Sequence, residues 1–208
     1  MRGVVDVVFV STNRGKFVEA REILRPYGVR LRWLRQRLAE PQAEDLATVA
    51  RAKAAAVRGV RGYILVEDSG LFIDALEGFP GVYSAHFLKL WGFPPILELL
   101  RRRGRRATFR SVAALRHGRS VRTFPGTAPG TIARRPAGRH GFGYDPIFVP
   151  HGHRATFGEL GPSVKNAVSH RARSMEAVGR FLAAAREGRP GRPRARRGRD
   201  RGVISRTG

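Results

Sequence analysis

The chain has 208 residues, contains no cysteine, and carries 40 lysine and arginine residues against 16 acidic residues, a formal net charge of +24. A cysteine-free chain excludes a disulfide scaffold, thiolate metal sites and thiol nucleophiles, and no run approaches the ~18 uncharged apolar residues of a membrane helix. We therefore expect a soluble, cytoplasmic protein without a membrane partner. Its positive charge indicates polyanions such as nucleotides or nucleic acid.

Strands and helices alternate along the chain. Val4 to Val10 is an almost unbroken apolar run, which is typical of a strand buried on both faces of a sheet. Further strands are predicted over residues 29–33, 63–66, 108–115 and 147–149. Helices are predicted over residues 17–24, 46–60, 94–103 and 169–186, and glycine- and proline-rich turns over 125–143. This alternation predicts a single α/β domain.

Positive charge is concentrated at the C-terminal end. Residues 186–208 hold nine arginines, two acidic residues and only two sizeable apolar side chains, Val203 and Ile204. Such a segment cannot bury enough apolar surface to become ordered. We therefore predict a folded domain over residues 1–186 and a disordered arginine-rich tail over 187–208. The tail could contact nucleic acid, but we do not expect that contact to be the function.

The first polar motif, STNRGK at residues 11–16, follows the first strand and opens the first helix. Free backbone N–H groups and the positive end of the helix dipole bind phosphate readily at such a turn. Ser11 and Asn13 add hydrogen-bonding side chains, and Lys16 adds a positive charge. The alternative is plain helix capping by Thr12 or Asn13, which leaves only the lysine unexplained.

Lysine is rare in this chain, since 36 of the 40 basic residues are arginine. A compact ammonium and a planar guanidinium are not interchangeable at a crowded site. The four lysines are therefore candidates for positions where a guanidinium does not fit, although chance survival explains any single one equally well. They are Lys16, Lys53, Lys89 and Lys165.

Two adjacent carboxylates, Glu67 and Asp68, follow the predicted strand 63–66. Because side chains alternate across a strand, both can face one site only if the chain turns there, and Ser69-Gly70 predicts that turn. Such a pair suits Mg²⁺ or a general base for water, and Glu40 could add an oxygen ligand. The alternative is an ordinary turn with Glu67 exposed.

An aromatic residue between two glycines, Phe142, is a candidate plate on which a nucleobase could stack. Asp145 is held in an extended conformation by the proline that follows it, and it could accept a hydrogen bond from a ring N–H. The alternative is a turn whose aromatic residues belong to the core.

The last motif, KNAVSHR at residues 165–171, ends at the start of the final helix, which Ser169 is suited to cap. His170 and Arg171 are unfavourable beside the positive end of a helix dipole, so an anion or a carbonyl oxygen in front of them would explain their presence. The alternative is two solvated cations in a basic protein.

Taken together, these motifs resemble the Ham1-type inosine triphosphate pyrophosphatases, the XTP/dITP diphosphatases. STNRGK, AEPQ, VEDSGLFIDALEGFPGVYSA, GFGYDPIF, TFGEL and KNAVSHR occur in the family order between residues 6 and 185. The resemblance implies a long mixed β-sheet flanked by helices, with two lobes and a cleft between them. It implies a Mg²⁺-dependent homodimer that cleaves ITP, dITP and XTP to the monophosphate and pyrophosphate.

The resemblance also implies a role for each motif. The triphosphate would lie on the STNRGK turn with Lys53 nearby, and the base would lie between the GFGYDP and KNAVSHR motifs. Asp68 would activate water, and the metal would lie at Glu40, Glu67 and Asp68. The residues implied to bind substrate are Ser11, Asn13, Lys16, Lys53, Ser69, Phe142, Tyr144, Asp145, Lys165, Ser169, His170 and Arg171.

Two other functions remain open at this point. A nucleic-acid-binding protein would use the basic surface itself, but it would have no need for Glu40, Glu67 and Asp68. A related pyrophosphatase could act on other modified nucleotides, such as methylated pyrimidine triphosphates.

The chain departs from the usual family pattern at two positions. Thr12 stands where the family usually has a glycine, and His140 stands where it usually has a small residue.

Overall fold

The computed structural model describes residues 4–188, which form one mixed seven-stranded sheet with helices on both faces. Residues 189–208, nearly all of the predicted tail, lie outside the described residues. The strands are β1 Val5–Val10, β2 Val29–Leu34, β3 Tyr63–Ile73, β4 Pro80–Gly81, β5 Arg106–His117, β6 Ser120–Ile132 and β7 Phe148–Pro150. The helices are α1 Arg14–Leu24, α2 Leu46–Ala56, α3 Ser84–Trp91, α4 Pro94–Leu99, α5 Phe157–Val168 and α6 His170–Arg186.

The sheet has the strand order β2-β1-β3-β5-β6-β7, and the short β4 pairs with β3. β1 is parallel to both β2 and β3, and all other pairs are antiparallel. The four residues Val7 to Val10 are buried, as the unbroken apolar run predicts for a strand covered on both faces. The α/β class and the mixed sheet are confirmed.

The hydrophobic core divides along the sheet. At one end, α1 and α6 cover one face of the sheet and α2 covers the other. Leu65 therefore packs with α1 and α6, and Val66 packs with α2. At the other end Leu71 and Ile73 pack with residues of α3, α4 and α5. β3 passes from one end to the other, and its polar residues lie between the clusters.

Two predicted turns are strands in the structure. β3 continues without interruption through Ser69-Gly70, where each residue pairs with β5, so the predicted turn after Asp68 is wrong. The glycine- and proline-rich residues 125–132 belong to β6 and alternate buried with exposed positions. Pairing with long neighbouring strands overrides the local turn preference in both places.

The other differences concern helices. α2 ends at Ala56 rather than near residue 60, and α4 is shorter than predicted. Two helices, α3 and α5, were not predicted, and α5 contains a kink at Gly161 and Pro162. Within residues 4–188, no helix has the length and apolar character needed to cross a membrane.

Candidate active site

The polar residues at the middle of β3 lie where the two ends of the core meet. Because alternate residues point to opposite faces, Glu67 shares the face of Leu65, which α1 and α6 cover. Asp68 shares the face of Val66, which α2 covers. The two carboxylates therefore enter two different environments although they are adjacent in the chain.

The turn before α1 places its polar groups as a helix cap. The Asn13 side chain accepts a hydrogen bond from the Lys16 backbone N–H at 3.1 Å, and Ser11 Oγ accepts one from the Asn13 N–H at 3.0 Å. Helix capping is thus present, and the first N–H groups of α1 still have no acceptor within the helix. Lys16 Nζ lies 2.8 Å from Glu67 Oε2, so the ammonium reaches the centre of the sheet.

Glu67 is completely buried between two cations. Besides the Lys16 ammonium, Arg171 Nη2 lies 3.1 Å from Glu67 Oε1 and 3.3 Å from Ser69 Oγ. Burial alone would raise the pKa of Glu67, but the charges of Arg171 and Lys16 outweigh it and hold the pKa at about 2. Glu67 is therefore a fixed negative charge that neutralises its cationic neighbours.

Asp68, on the other face, contacts Lys53 of α2. Lys53 Nζ lies 3.2 Å from Asp68 Oδ2 and 2.7 Å from Glu40 Oε1, so one ammonium bridges the two carboxylates. Burial raises the pKa of Asp68, and the positive charges of Lys16 and Lys53 only partly oppose it. Burial lowers the pKa of Lys53, but Asp68 and Glu40 together raise it above its usual value.

These carboxylates fit a divalent cation of the magnesium type. Mg²⁺ binds through one or two carboxylates and completes its shell with water and substrate phosphates. Glu40 and Asp68 both contact the ammonium of Lys53, so their oxygens already point to one positive charge. Within residues 4–188, no group of three or more acidic or histidine side chains forms a closed metal site. The metal role predicted for Glu67 stays a prediction, since its oxygens face Lys16 and Arg171.

A second ion network lies on the Glu67 face and includes a residue that the sequence analysis did not identify. Glu19 of α1 is buried, and its two oxygens lie 2.7 Å from Lys165 Nζ and 2.6 Å from Arg171 Nη1. Lys165 also contacts Asp145 Oδ2. Glu19 follows Lys16 by three residues and so lies on the same helix face, which is the sequence signal that could have identified it.

Phe142 covers the two cations of this network. Its ring centroid lies 4.3 Å from Lys165 Nζ and 5.3 Å from the Arg171 guanidinium carbon. A Cβ at Gly15 would lie 2.5 Å from the ring, so only glycine allows the ring to approach α1 so closely. The Phe142 N–H donates to Asp145 at 2.7 Å, which fixes the turn that carries the ring. The extended conformation predicted for Asp145 is wrong, because Asp145 begins a 3₁₀ helix, Asp145–Ile147.

The start of α6 is tightly packed against the sheet. Ser169 caps the helix by accepting from the Ala172 N–H, and His170 stacks on Phe109 at 4.5 Å between ring centroids. Burial and the charge of Arg171 lower the pKa of His170 well below its usual value, so the imidazole is neutral. Its Nδ1 is buried without a hydrogen-bond partner in the described part of the chain.

The structure thus groups the predicted residues around β3 as two clusters. Lys53, Glu40 and Asp68 share one face, and Lys16, Ser69, Phe142, Asp145, Lys165, His170 and Arg171 share the other. Tyr144 is buried in the second part of the core, where its hydroxyl donates to the Ser84 carbonyl. A substrate role for Tyr144 stays a prediction.

Comparison with known proteins identifies the family. The model of the Ham1 family matches residues 7–181. The dITP/XTP pyrophosphatase of Thermococcus kodakarensis is 44% identical over 179 residues, which cover 85% of this chain and 96% of that protein. The corresponding protein of Pyrobaculum aerophilum is 41% identical over 174 residues, covering 83% and 93%.

Solved structures agree with the sequence comparison. A HAM1 protein from Coxiella burnetii has a TM-score of 0.75 and 32% identity, covering 86% of this chain and 98% of that one. The Ham1 protein of Staphylococcus aureus has a TM-score of 0.74 and 27% identity, covering 86% and 99%. The chain therefore belongs to the Ham1 family.

Proposed function

We propose that this protein hydrolyses ITP, dITP and XTP to the nucleoside monophosphate and pyrophosphate, which removes non-standard purines from the nucleotide pool. The observation that carries the proposal is the pair of clusters on β3. Cations under an aromatic plate lie on one face, and a carboxylate pair with a lysine lies on the other. Relatives named dITP/XTP pyrophosphatases align over almost their whole length.

The triphosphate binds at the turn before α1 in this proposal. The free N–H groups at the helix start and the Ser11 hydroxyl provide hydrogen bonds, while Lys16 and Lys53 provide positive charge. Both ammonium groups are partly buried, so they attract phosphate oxygens more strongly than ammonium groups surrounded by water would. The two lysines approach the reacting region from opposite faces of β3.

Asp68 and Glu40 would hold Mg²⁺, which when bound would supply positive charge against the phosphate oxygens and the leaving pyrophosphate. Asp68 orients the attacking water and accepts its proton as the water oxygen attacks the α-phosphorus. The bond from that phosphorus to the bridging oxygen breaks, and the lysines balance the charge on the departing pyrophosphate.

Base selection follows from the polarity of the Glu67 face. Arg171 is completely buried, and it would donate to the O6 carbonyl of hypoxanthine or xanthine. Adenine carries an amino group at that position, so in a complex with adenine the amino group and the Arg171 guanidinium, both hydrogen-bond donors, would face each other. Unpaired buried polar groups of this kind discriminate between ligands by about 10⁴-fold or more. Phe142 provides the stacking surface.

A pyrophosphate-release assay with Mg²⁺ over ITP, XTP, dITP, GTP, ATP and modified pyrimidine triphosphates tests the proposal. We expect ITP, XTP and dITP to have kcat/KM values about 100-fold or more above that of ATP, whose base lacks the O6 carbonyl. Equal rates for all substrates, or a preference for modified pyrimidines, would contradict it. The homodimer implied by the resemblance stays a prediction that light scattering of the full chain tests.

A further inference from the structure

Two short segments outside the site carry an unusual density of arginine. Residues 101–106 and 134–139 together contain eight arginines in twelve positions and no acidic residue, whereas 36 of all 208 residues are arginine. The general richness of the chain in arginine does not explain such a local excess. We call this set the arginine surface: Arg101, Arg102, Arg103, Arg105, Arg106, Arg134, Arg135 and Arg139.

The fold brings the two segments together although they are about 30 positions apart. The Arg105 guanidinium donates to the carbonyls of Leu100, Ile132 and Ala133 at 2.7–2.9 Å, which joins the end of α4 to the chain that leaves β6. β5 and β6 also pair at Arg106 and Thr131. The arginine surface is therefore one continuous region of the folded domain.

The positive charge of the arginine surface is largely uncompensated. All of its members except Arg105 are exposed, and within residues 4–188 only Arg101 and Arg106 have an acidic partner, at 3.3 and 3.8 Å. Burial and the nearby charge of Arg134 lower the pKa of Arg105, so like charges repel one another here. A bound polyanion would relieve this repulsion.

A cavity of about 440 Å³ opens within the arginine surface. Its walls combine apolar groups with three guanidinium groups and one carboxylate, which suits a nucleobase with its attached phosphates better than a bare anion. The cavity is lined by Phe93, Pro94, Leu97, Glu98, Arg101, Arg105, Arg134 and Pro136, and the one acidic residue among them, Glu98, is paired with Arg101 at 3.3 Å. Of these, Phe93 provides an aromatic ring beside three guanidinium groups.

We propose that the arginine surface binds single-stranded nucleic acid through its phosphates, with a base entering the cavity beside Phe93. Eight cations spread over two segments exceed what the ~4 negative charges of one nucleoside triphosphate can engage, so an extended chain of phosphates fits better. No member of the arginine surface belongs to the candidate active site, so this binding is separate from the proposed hydrolysis.

The test compares two triple variants of the full chain that change the net charge equally. The surface variant is Arg134→Gln, Arg135→Gln and Arg139→Gln. The control variant is Arg58→Gln, Arg61→Gln and Arg119→Gln, which removes three exposed arginines elsewhere. Fluorescence anisotropy with a labelled 20-nucleotide RNA and a matching DNA oligonucleotide, over a series of salt concentrations, measures affinity.

We expect wild-type dissociation constants of about 10⁻⁶ M at low salt, and a tenfold or larger weakening in the surface variant only. Its slope of log affinity against log salt should be shallower by about 2, since about 0.7 counterions are released per contact with a single strand. Phe93→Ala should weaken binding about tenfold with an unchanged salt slope, which a purely electrostatic surface would not show. Circular dichroism confirms that each variant is folded.

Other outcomes would overturn the proposal. Equal weakening in both triple variants would mean that net charge alone attracts the oligonucleotide. Displacement of the oligonucleotide by micromolar pyrophosphate or a mononucleotide would mean that the cavity holds a small phosphate compound instead. Pyrophosphate release from ITP should be unchanged in the surface variant, so failure of this proposal and failure of the proposed function are distinguishable.

Discussion

The two faces of β3 carry similar side chains in very different electrostatic surroundings. On one face Glu67 is buried and paired with Lys16 and Arg171, and its pKa falls to about 2. On the other, Asp68 shares one ammonium with a largely exposed Glu40, and burial raises its pKa. One carboxylate is thus a permanent counter-ion and the other is a better proton acceptor. In the proposed reaction, the alternation of this single strand places the residues that recognise the base and the carboxylate that activates water on opposite faces.

The largest expected effect comes from Asp68→Asn. The amide keeps the shape of the side chain but cannot accept a proton from water, so kcat should fall about 10³-fold while nucleotide affinity changes little. Pyrophosphate release measures kcat, and calorimetry with a non-hydrolysable ITP analogue measures affinity. Activity near the wild-type level would remove Asp68 from the role of base.

The next prediction compares how much one carboxylate on each face of β3 contributes to the free energy of unfolding. Removing one partner from a buried ion pair costs about 3 kcal/mol, and loss of the Glu67 charge leaves Lys16 without its carboxylate partner and Arg171 with Glu19 alone. Glu67→Gln should therefore lower the free energy of unfolding by about that amount. Glu40→Gln should leave it almost unchanged, because 65% of the Glu40 side chain is exposed. Urea unfolding at neutral pH in metal-free buffer compares the two variants.

The pH dependence of unfolding provides a control for the role of Glu67 as a buried counter-ion. The pKa of Glu67 is about 2 in the folded protein against an ordinary value of 4.5, so its stabilisation is complete above about pH 4.5. That stabilisation disappears as the pH falls toward 2. The wild-type protein should therefore lose more stability than Glu67→Gln between pH 5 and 2. Parallel curves would contradict the assignment of Glu67 as a buried counter-ion.

Replacement of Lys16 by arginine should have a smaller effect that depends on shape rather than charge. The Lys16 ammonium fits within 2.8 Å of Glu67, and the broader guanidinium would displace the phosphate or the carboxylate. We expect Lys16→Arg to lower kcat/KM for ITP by about 10-fold to 100-fold. Lys89→Arg is the matched control, since Lys89 is exposed on α3 outside the site. Equal kinetics for both variants would refute the argument from scarce lysines.

The sequence was informative where a local pattern and its tertiary surroundings agree. The apolar run of β1 and the Ser169 cap appear in the structure as predicted, and Asn13 caps α1 as the alternative interpretation of its motif had it. The turn predicted at Ser69-Gly70 is wrong because the partners of these residues on β5, Ser111 and Arg110, are 42 and 40 residues away. Glu19 was missed for the same reason, since its partners Lys165 and Arg171 come from the other end of the chain. Long-range pairing leaves no local signal at Ser69-Gly70, whereas for Glu19 the only local signal is its three-residue spacing from Lys16 on one helix face.

The smallest expected effect on turnover comes from deletion of residues 188–208. These residues lie outside the family match over residues 7–181 and outside every motif assigned to the site, so kcat and KM for ITP should stay within about twofold of wild type. Oligonucleotide affinity should fall, because the eight arginines of residues 189–208 would add phosphate contacts to those of the arginine surface, and counterion release is lost only with such contacts. If turnover falls together with affinity, the C-terminal residues contribute to the active site and the separation between the two surfaces is wrong. If turnover is preserved while oligonucleotide affinity falls, hydrolysis is independent of the C-terminal residues, and these residues contribute to oligonucleotide binding together with the arginine surface.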